Sequence, residues 1–211
     1  MLVPLIAKLS ASGLIARGIA THNGQSVLLI GHAGSSIWPH FTNWLAQQIP
    51  PPENSLDAWS KTIITAAAAE IGGRAVFPSD RPYLPFQQWA TEAEGLRPSP
   101  LCILIHPVYG LWHAYRGAIL LTDSALSEPL EKLSHPCDTC VEKPCLSACP
   151  VEAFSDGGYD VAACRSHLKT EAGQTCKTGG CLARLTCPIG REYTYEPEQM
   201  RFHMQAFAPA K

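Results

Sequence analysis

The sequence from residue 137 to residue 150 reads Cys137-Asp-Thr-Cys140-Val-Glu-Lys-Pro-Cys145-Leu-Ser-Ala-Cys149-Pro150. Four more cysteines follow it, at Cys164, Cys176, Cys181 and Cys187. Eight of the nine cysteines in the chain therefore lie between residues 137 and 187, and two of the eight directly precede a proline. Cysteines at this density predict a site where several thiolates bind one inorganic centre.

The arrangement resembles the cluster-binding run of bacterial ferredoxins, C-x2-C-x2-C-x3-C-P, in which three thiolates hold one cubane and the fourth ligates the other. Two 4Fe-4S clusters need eight thiolates, which is the number that this segment supplies. The ferredoxin crossover assigns four cysteines to cluster 1: Cys137, Cys140, Cys145 and Cys187. It assigns the other four to cluster 2: Cys149, Cys164, Cys176 and Cys181. The spacing departs from the ferredoxin run, because four residues separate Cys140 from Cys145 and five separate Cys181 from Cys187.

Two other structures also use clustered cysteines. Cysteine quartets bind structural zinc, but zinc ribbons use two C-x2-C knuckles and this chain has one, at Cys137 and Cys140. Disulfides are disfavoured by the odd cysteine count and by the absence of a clear export signal. The ninth cysteine, Cys102, lies in an apolar run and is predicted to be a small buried side chain. No histidine is predicted to bind iron or cobalt.

Size and composition limit the architecture and the partners. The chain has 211 residues, 46% of them hydrophobic, which is enough for one substantial core and a small appended domain. Its 16 basic and 18 acidic residues give a net charge of -2, without the basic surplus typical of nucleic-acid-binding domains. No run reaches the roughly 18 apolar residues of a membrane helix. We therefore expect a cytoplasmic protein with no nucleic-acid and no membrane partner.

Hydrophobic periodicity predicts a mixture of helices and strands. Helices are predicted at the start of the chain up to Gly13 and over 38–45, 56–71, 87–94 and 197–207. Strands are predicted over 27–30, over 101–105, and on both sides of a turn at Gly110. Because strands and helices do not alternate strictly, the pattern indicates an α+β fold.

The most distinctive residues of the N-terminal part lie between residues 105 and 121. This segment contains His106, Tyr109, Gly110, Trp112 and Arg116. Its aromatic side chains can line either a core or a planar cofactor. A purely structural interpretation has His106 capping a turn, the aromatic rings in the core and Arg116 paired with an acidic side chain, since a buried arginine needs a partner.

The pattern His106-Pro-x-x-Gly110-x-Trp112-x-x-x-Arg116-Gly resembles the corresponding segment of CblC-type cobalamin-processing chaperones. The cysteine half, with the run from Cys164 to Glu171, resembles epoxyqueuosine reductases and, more distantly, reductive dehalogenases. The resemblance implies a nitroreductase-related, CblC-like sandwich domain over 1–130. It implies a small two-cluster domain of bacterial-ferredoxin type over 131–195 and a C-terminal helix and tail over 196–211.

The same resemblance implies two 4Fe-4S clusters with cobalamin as a further cofactor. It places five residues near the corrinoid, namely His106, Tyr109, Gly110, Trp112 and Arg116. The clusters would deliver electrons to its cobalt, which implies a cobalamin-dependent or cobalamin-reducing oxidoreductase. The expected partner is an electron-donor protein of a ferredoxin or flavodoxin reductase system. The sequence shows neither the helical-repeat tRNA region nor an assignable acidic general acid of epoxyqueuosine reductases, so tRNA reduction is not expected.

Two other functions stay open at this point. In a ferredoxin-type electron carrier, the N-terminal domain would only dock a partner enzyme. A flavin enzyme of nitroreductase type would bind a flavin phosphate, but no Gly-rich helix start for one is evident. No catalytic residue is assigned.

Overall fold

The computed structural model describes residues 2–121, 134–155 and 157–208. The strands are β1 (Ile15–His22), β2 (Gln25–Ala33), β3 (Arg74–Val76), β4 (Arg97–Pro98), β5 (Leu104–Ile105), β6 (His113–Leu120), β7 (Phe154–Ser155) and β8 (Gly158–Tyr159). The helices are α1 (Leu2–Ser10), α2 (Trp38–Leu45), α3 (Ser55–Glu70), α4 (Phe86–Glu94), α5 (Pro144–Ser147), α6 (Val161–His167), α7 (Gln174–Gly179), α8 (Leu182–Leu185) and α9 (Pro197–Phe207). Short 3-10 turns lie at Pro136–Asp138 and Arg191–Tyr193. The predicted α+β class is confirmed.

The chain forms two compact units. Among the described residues, the first unit comprises 2–96 and 113–121. The second comprises 97–112, 134–155 and 157–208. The units are discontinuous in sequence, because residues 97–112 belong with the cysteine-rich part of the chain. The domain boundary predicted at residue 130 lies outside the described residues, and the functional labels of the predicted domains stay predictions.

The first unit contains an antiparallel sheet with the strand order β1-β2-β6-β3. Its β1–β2 hairpin closes through Asn23 and Gly24, which both have positive φ, and pairs His22 with Gln25. An Asn-Gly pair suits this two-residue turn because its backbone twist matches that of the flanking strands. The sequence analysis missed β1, although Asn23-Gly24 is a strong hairpin signal.

Strand β2 lies between two neighbours and is covered on both faces. Its residues Val27, Leu28, Leu29 and Ile30 are at most 3% exposed, which is why this run is apolar without alternation. Helix α3 contacts β3 and β6, and α4 contacts β1 and β2. The strand predicted over 27–30 is confirmed within β2.

A buried ion pair links β1 to α4 in this unit. The Nε of Arg17 lies 2.8 Å from Glu94 Oε1, and the two side chains are only 2% and 12% exposed. The Tyr115 hydroxyl on β6 donates a hydrogen bond to the same carboxylate. Burial raises the pKa of the Glu94 carboxyl, against the opposing effect of the Arg17 charge. The polar groups thus tie two strands to one helix inside an apolar unit.

The second unit consists of short elements around the cysteines. Two small hairpins, β4–β5 and β7–β8, accompany helices α5 to α9, and α9 packs on α7. Its apolar core brings Leu101, Ile105 and Leu111 against Ala183 and Cys187. Because α5, α7 and α8 have six residues or fewer, most of this unit is organised by the loops that connect them.

Most predicted helices are confirmed with shifts of one or two residues, and the C-terminal one matches α9 over Pro197–Phe207. The strand predicted over 101–105 is reduced to Leu104–Ile105. Cys102 is exposed and has φ of 58°, so the prediction of a small buried strand residue is wrong. The physical reason is a turn at this point, in which the Cys102 amide donates to the Ser99 carbonyl.

Candidate functional site

The first set of thiols lines a small, partly enclosed cavity in the second unit. The four cysteines among its lining residues are Cys137, Cys140, Cys145 and Cys187. The rest of the lining is mostly apolar and includes Leu101, Ile105, Leu111 and Ile189. The structure therefore brings together the four cysteines that the ferredoxin crossover assigned to cluster 1.

A second cavity collects the other four thiols. Its lining contains Cys149, Cys164, Cys176 and Cys181. Phe154, Leu168, Ala183 and Met204 supply apolar walls, and His167 is the ionisable side chain of the lining other than the thiols. This set matches the cluster 2 assignment, and each quartet joins residues from distant parts of the sequence.

Local structure explains how the cysteines reach these positions. Helix α5 begins at Pro144, whose fixed φ suits a first helical position, and it carries Cys145. Helix α6 carries Cys164, and its N-cap residue Asp160 accepts a hydrogen bond from the Ala163 amide at 2.9 Å.

Two close backbone–backbone contacts hold the segment that follows Cys187. A Cβ on Gly110 would lie 2.0 Å from the Ile189 carbonyl oxygen, and a Cβ on Gly190 would lie 2.4 Å from the Tyr109 carbonyl carbon. Both glycines have positive φ, at 57° and 68°. Glycine is required at both positions because the chains touch backbone to backbone. The loop at Gly110 thereby fixes the position of the chain immediately after Cys187.

The electrostatics show the same grouping. Burial, together with the neighbouring thiols of Cys187, Cys145 and Cys140, raises the pKa of the Cys137 thiol to about 11. Burial also raises the pKa of Cys176, with contributions from Cys164 and Cys149. Like charges close together disfavour each other, so these thiols would ionise together only with a compensating positive centre.

Backbone amides point at several of the sulfur atoms. The Ala153 amide donates to Cys149 Sγ at 3.4 Å. Burial raises the pKa of the Cys181 thiol, and the amides of Arg184 and Ala183 oppose that shift by hydrogen bonding to its sulfur. Amides directed at sulfur stabilise negative charge there, which is the environment that thiolate ligands require.

The donor chemistry fits iron-sulfur clusters. Four sulfur donors surround each cavity, and soft thiolates favour iron-sulfur clusters or zinc over hard cations. Within 2–121, 134–155 and 157–208, no group of three or more His, Cys, Asp or Glu side chains is arranged to hold a metal ion. The quartets are therefore thiol-lined cavities rather than formed coordination spheres.

The residues predicted for the corrinoid are distributed over both units. His106, Tyr109, Gly110 and Trp112 lie in the second unit, whereas Arg116 lies in the first. His106 Nδ1 accepts hydrogen bonds from the amides of Val108 and Tyr109 at 3.0 and 3.1 Å, and its ring stacks on Tyr109 at 4.2 Å. His106 thus caps the turn, as the structural interpretation of this segment predicted.

Trp112 is only 2% exposed. The guanidinium of Arg184 lies 4.2 Å from its ring centroid, and Tyr195 packs against it edge-on at 5.3 Å. Arg184 also donates to the Leu111 carbonyl at 2.5 Å. The indole is therefore part of the packing of the second unit, where it fastens the segment before β6 to α8.

Arg116 on β6 is engaged by α3. Its Nη2 lies 2.5 Å from Asp57 Oδ1, and its Nε donates to the Ser60 hydroxyl at 3.0 Å. The acidic partner expected for this arginine is therefore present. Trp112 and Arg116 each have partners within their own unit, and their role beside a corrinoid stays a prediction.

Three residues near the second thiol set were not identified from the sequence as neighbours of the sulfurs: Phe154, Tyr159 and His167. Phe154 lines the second cavity and stacks on Tyr159, and His167 Nε2 lies 3.9 Å from Cys176 Sγ. The segment from Phe154 to Tyr159, which lies between Cys149 and Cys164, is the part of the sequence that could have indicated these neighbours. Its Asp156-Gly157 pair is a hairpin signal that the sequence analysis missed, but nothing in the sequence places that hairpin beside the sulfurs.

Comparison with known proteins adds one structural likeness. No protein-family model matches the chain, and no curated protein sequence matches it. The chain is similar to a crystal structure of epoxyqueuosine reductase with a tRNA-Tyr epoxyqueuosine-modified tRNA stem loop, with a TM-score of 0.51 and 16% sequence identity. The match covers 84% of this chain and 54% of that chain, so the chain spans about half the length of this neighbour. At this identity the likeness shows the fold.

One expectation about partners is corrected by this comparison. The sequence analysis excluded a nucleic-acid partner on net charge, but the neighbour of similar fold was solved with a tRNA stem loop. Net charge averages over the whole surface, so it was a poor basis for an exclusion. No helix among the described residues is long and apolar enough to cross a bilayer.

Proposed function

We propose that this chain is an iron-sulfur redox protein that holds two 4Fe-4S clusters and passes electrons between protein partners or to a bound acceptor. Cluster 1 is held by Cys137, Cys140, Cys145 and Cys187. Cluster 2 is held by Cys149, Cys164, Cys176 and Cys181. The observation that carries the proposal is the presence of two cavities, each lined by four thiols in the partition of the ferredoxin crossover.

The clusters supply one-electron chemistry, and the residues of this chain supply the environment. Apolar walls such as Leu101 and Leu168 keep water from the sulfurs, and backbone amides stabilise the thiolate charge. Both effects set the reduction potential of a cluster.

Helix α8 would lie between ligands of the two clusters along the chain. It lies between Cys181 of one quartet and Cys187 of the other. Ala183 on this helix is 1% exposed, lines the second cavity and packs in the same core as Cys187. This small buried side chain belongs to one apolar core against which cysteines of both sets pack.

An electron-donor protein would reach cluster 1 through an open groove of about 880 Å³. Cys140 lies in this groove, together with Pro144, Pro188 and Arg191. Val141, the residue after Cys140, is 91% exposed. An exposed apolar side chain beside a redox centre is suited to a transient contact with a carrier protein, whose interface is small.

The finer proposal for the acceptor is a corrinoid, and it rests on the sequence resemblance to CblC-type proteins and epoxyqueuosine reductases. No step of the proposed electron transfer runs through it, because Trp112 and Arg116 have other partners. An anaerobic titration with cob(II)alamin, followed by EPR of the cobalt signal, tests it separately. A shift to a base-off or four-coordinate signal supports the corrinoid, and an unchanged signal leaves an electron carrier of ferredoxin type.

RNA is the second candidate partner, because the structural neighbour was solved with a tRNA stem loop. Fluorescence anisotropy with a labelled tRNA stem loop, measured at several salt concentrations, tests it. Binding through phosphate contacts predicts an affinity that falls as the salt concentration rises, since such contacts release counterions, and specific binding must also be tighter than that of the control. A scrambled single strand is the matched control.

The cluster proposal is tested by anaerobic reconstitution with iron and sulfide. We expect about eight irons and eight sulfides per chain, and EPR signals of two reduced clusters after dithionite treatment. Cys187→Ser should lose about half of the iron, and Cys102→Ser, the matched control outside both quartets, should lose none. Stoichiometric zinc without sulfide in the purified protein, and no iron uptake on reconstitution, would refute the proposal.

A further inference from the structure

A histidine lies among the thiols of the second cavity. His167 lines this cavity, and its Nε2 lies 3.9 Å from Cys176 Sγ. Cys176 is buried, and His167 is partly buried. Within α6, His167 comes three residues after Cys164, so the two side chains lie on the same face of the helix. Helix α6 therefore presents one thiol and one imidazole to the same cavity.

Backbone contacts hold His167 close to the helix that carries Cys176. The Thr170 amide and hydroxyl donate to the His167 carbonyl oxygen at 2.9 and 2.8 Å. The Gly173 amide donates to the Thr170 hydroxyl at 3.1 Å, and a Cβ on Gly173 would lie 2.0 Å from the His167 carbonyl oxygen. Because Gly173 directly precedes α7, this loop joins the end of α6 to the start of α7. The distance between His167 and Cys176 is thus set by a short, hydrogen-bonded loop.

The direction of the contact between imidazole and sulfur follows from the chemistry of the two groups. A thiolate has no proton, so it can only accept a hydrogen bond. When Cys176 is a cluster ligand, the shared hydrogen must therefore reside on Nε2 of His167. Among the described residues that line the second cavity, no other side chain carries an N–H group. His167 is therefore the side chain of this lining that can donate an N–H hydrogen bond to a sulfur.

We propose that His167 is a positioning residue that donates a hydrogen bond from Nε2 to the Cys176 thiolate and thereby raises the reduction potential of the second cluster. This inference rests on the proposed two-cluster function. Reduction by one electron from the donor adds negative charge, part of which resides on the ligand sulfurs. A hydrogen-bond donor at one of those sulfurs stabilises the reduced state more than the oxidised state.

The expected effect is about fivefold in the equilibrium constant for reduction. Hydrogen bonds to charged acceptors are roughly twice as strong as neutral ones, but only the difference between the two redox states counts. The N–S distance of 3.9 Å is also long, which weakens the bond. A fivefold change in a one-electron equilibrium corresponds to about 40 mV, since a tenfold change corresponds to about 59 mV. The first cluster should change little, because His167 does not line its cavity.

The test uses two substitutions of His167 in the reconstituted full chain. His167→Leu removes the donor and keeps an apolar wall, whereas His167→Gln keeps an N–H donor at a similar reach. Potentiometric titration with dithionite and redox mediators, followed by EPR, measures both midpoint potentials. We expect His167→Leu to lower one midpoint by the equivalent of about fivefold and His167→Gln to restore most of that loss. Met204→Leu, which changes another lining side chain without removing an N–H group, is the matched control and should leave both midpoints unchanged.

A second measurement uses the unmodified protein, so it does not depend on the folding of a variant. The imidazole rings are labelled with nitrogen-15, and pulsed EPR is recorded on the reduced clusters. A hydrogen bond from His167 to Cys176 predicts a weak nitrogen coupling on one cluster. A strong coupling would show that the imidazole binds iron directly, and the absence of any coupling would show that it is remote. Either result would overturn the inference.

The outcomes for His167 and for the two-cluster function can be told apart. If His167→Leu keeps its full iron content and both midpoints equal those of the unmodified protein, the role of His167 is refuted while the two-cluster function stands. An equal fall of the midpoint in both His167 variants also refutes it, because the ring rather than the donor would then matter. If both variants lose the second cluster, the nitrogen coupling decides. If the unmodified protein takes up no iron, the proposed function itself fails, and this inference fails with it.

Discussion

The substitution Gly110→Ala tests how the segment 97–112 supports the first thiol set. Gly110 has φ of 57°, and a Cβ there would lie 2.0 Å from the Ile189 carbonyl oxygen and 2.7 Å from its carbonyl carbon. Ile189 follows Cys187 by two residues, and its backbone amide hydrogen bonds to the Cys187 sulfur. A methyl group at position 110 therefore displaces the backbone that holds one of the four sulfurs.

Two costs contribute, and the structure separates them. Alanine in the left-handed region costs roughly 1–2 kcal/mol at any position. The contact adds a displacement, because real Cβ atoms essentially never approach other atoms within 3.0 Å. The two backbones must therefore separate by about 1 Å. A shift of that size at Ile189 is about twice the 0.5 Å within which functional constellations must be held.

Gly95→Ala is the matched control for the backbone cost alone. Gly95 has φ of 65°, close to that of Gly110, and a Cβ there would meet nothing within 4 Å. Both variants should lose similar free energy from the left-handed alanine. Only Gly110→Ala should disturb the segment that follows Cys187.

The assay is the iron and sulfide content of the two reconstituted variants, with EPR of the reduced clusters. We expect Gly95→Ala to retain about eight irons and Gly110→Ala to retain about four, with one EPR signal lost. Circular dichroism checks that both variants keep their helices. Full iron content and two unchanged EPR signals in Gly110→Ala would refute the reasoning, because the contact would then have relaxed without moving the sulfur.

Three further outcomes follow from the described contacts. Arg17→Met should destabilise the first unit by about 3–5 kcal/mol in urea denaturation, because it leaves Glu94 buried without its charge partner. The control Lys8→Met removes an exposed ion pair and should cost under about 1 kcal/mol. Equal losses of stability in the two variants would contradict the argument. Val141→Asp should slow reduction of the clusters by a protein donor about tenfold, while the rate of reduction by dithionite stays unchanged. An equal effect on the two rates would exclude a docking role for the groove. Asp160→Ala should lower the free energy of unfolding by about 1 kcal/mol, because α6 loses its N-cap, and should also lower the occupancy of the second cluster. An unchanged unfolding midpoint would argue against a stabilising role of the cap.

Several elements could be predicted because their signals are local. Helix α3 was predicted within one residue at each end, since its start at Ser55 and its end before the glycines Gly72 and Gly73 are marked in the sequence. Helix α9 was predicted over the bounds that the structure gives, because Pro197 sets its start. Hydrophobic spacing and helix-ending residues act over a few neighbours, and sequence reasoning can detect them without a tertiary fold.

Other features escaped prediction because they depend on contacts between distant residues. Cys102 was placed in a buried strand from the apolar letters around it, but a turn at Ser99 exposes it. Trp112 and Arg184 are 72 positions apart in sequence and stack directly in the structure. Neither residue type nor spacing indicates which ring an arginine will cover.

The sequence by itself determined the chemical inventory: eight clustered thiols with two prolines behind them, and a crossover that divides them into two sets. That division is what the resemblance to the ferredoxin run implies, and it stays a prediction. Only the tertiary structure decided what surrounds the sulfurs, including Phe154 on the wall of the second cavity, Ala183 in the core beside Cys187 and the close backbone approach at Gly110. These neighbours come from separate segments that meet only when the apolar side chains of the second unit are buried together, and no local pattern records such a meeting.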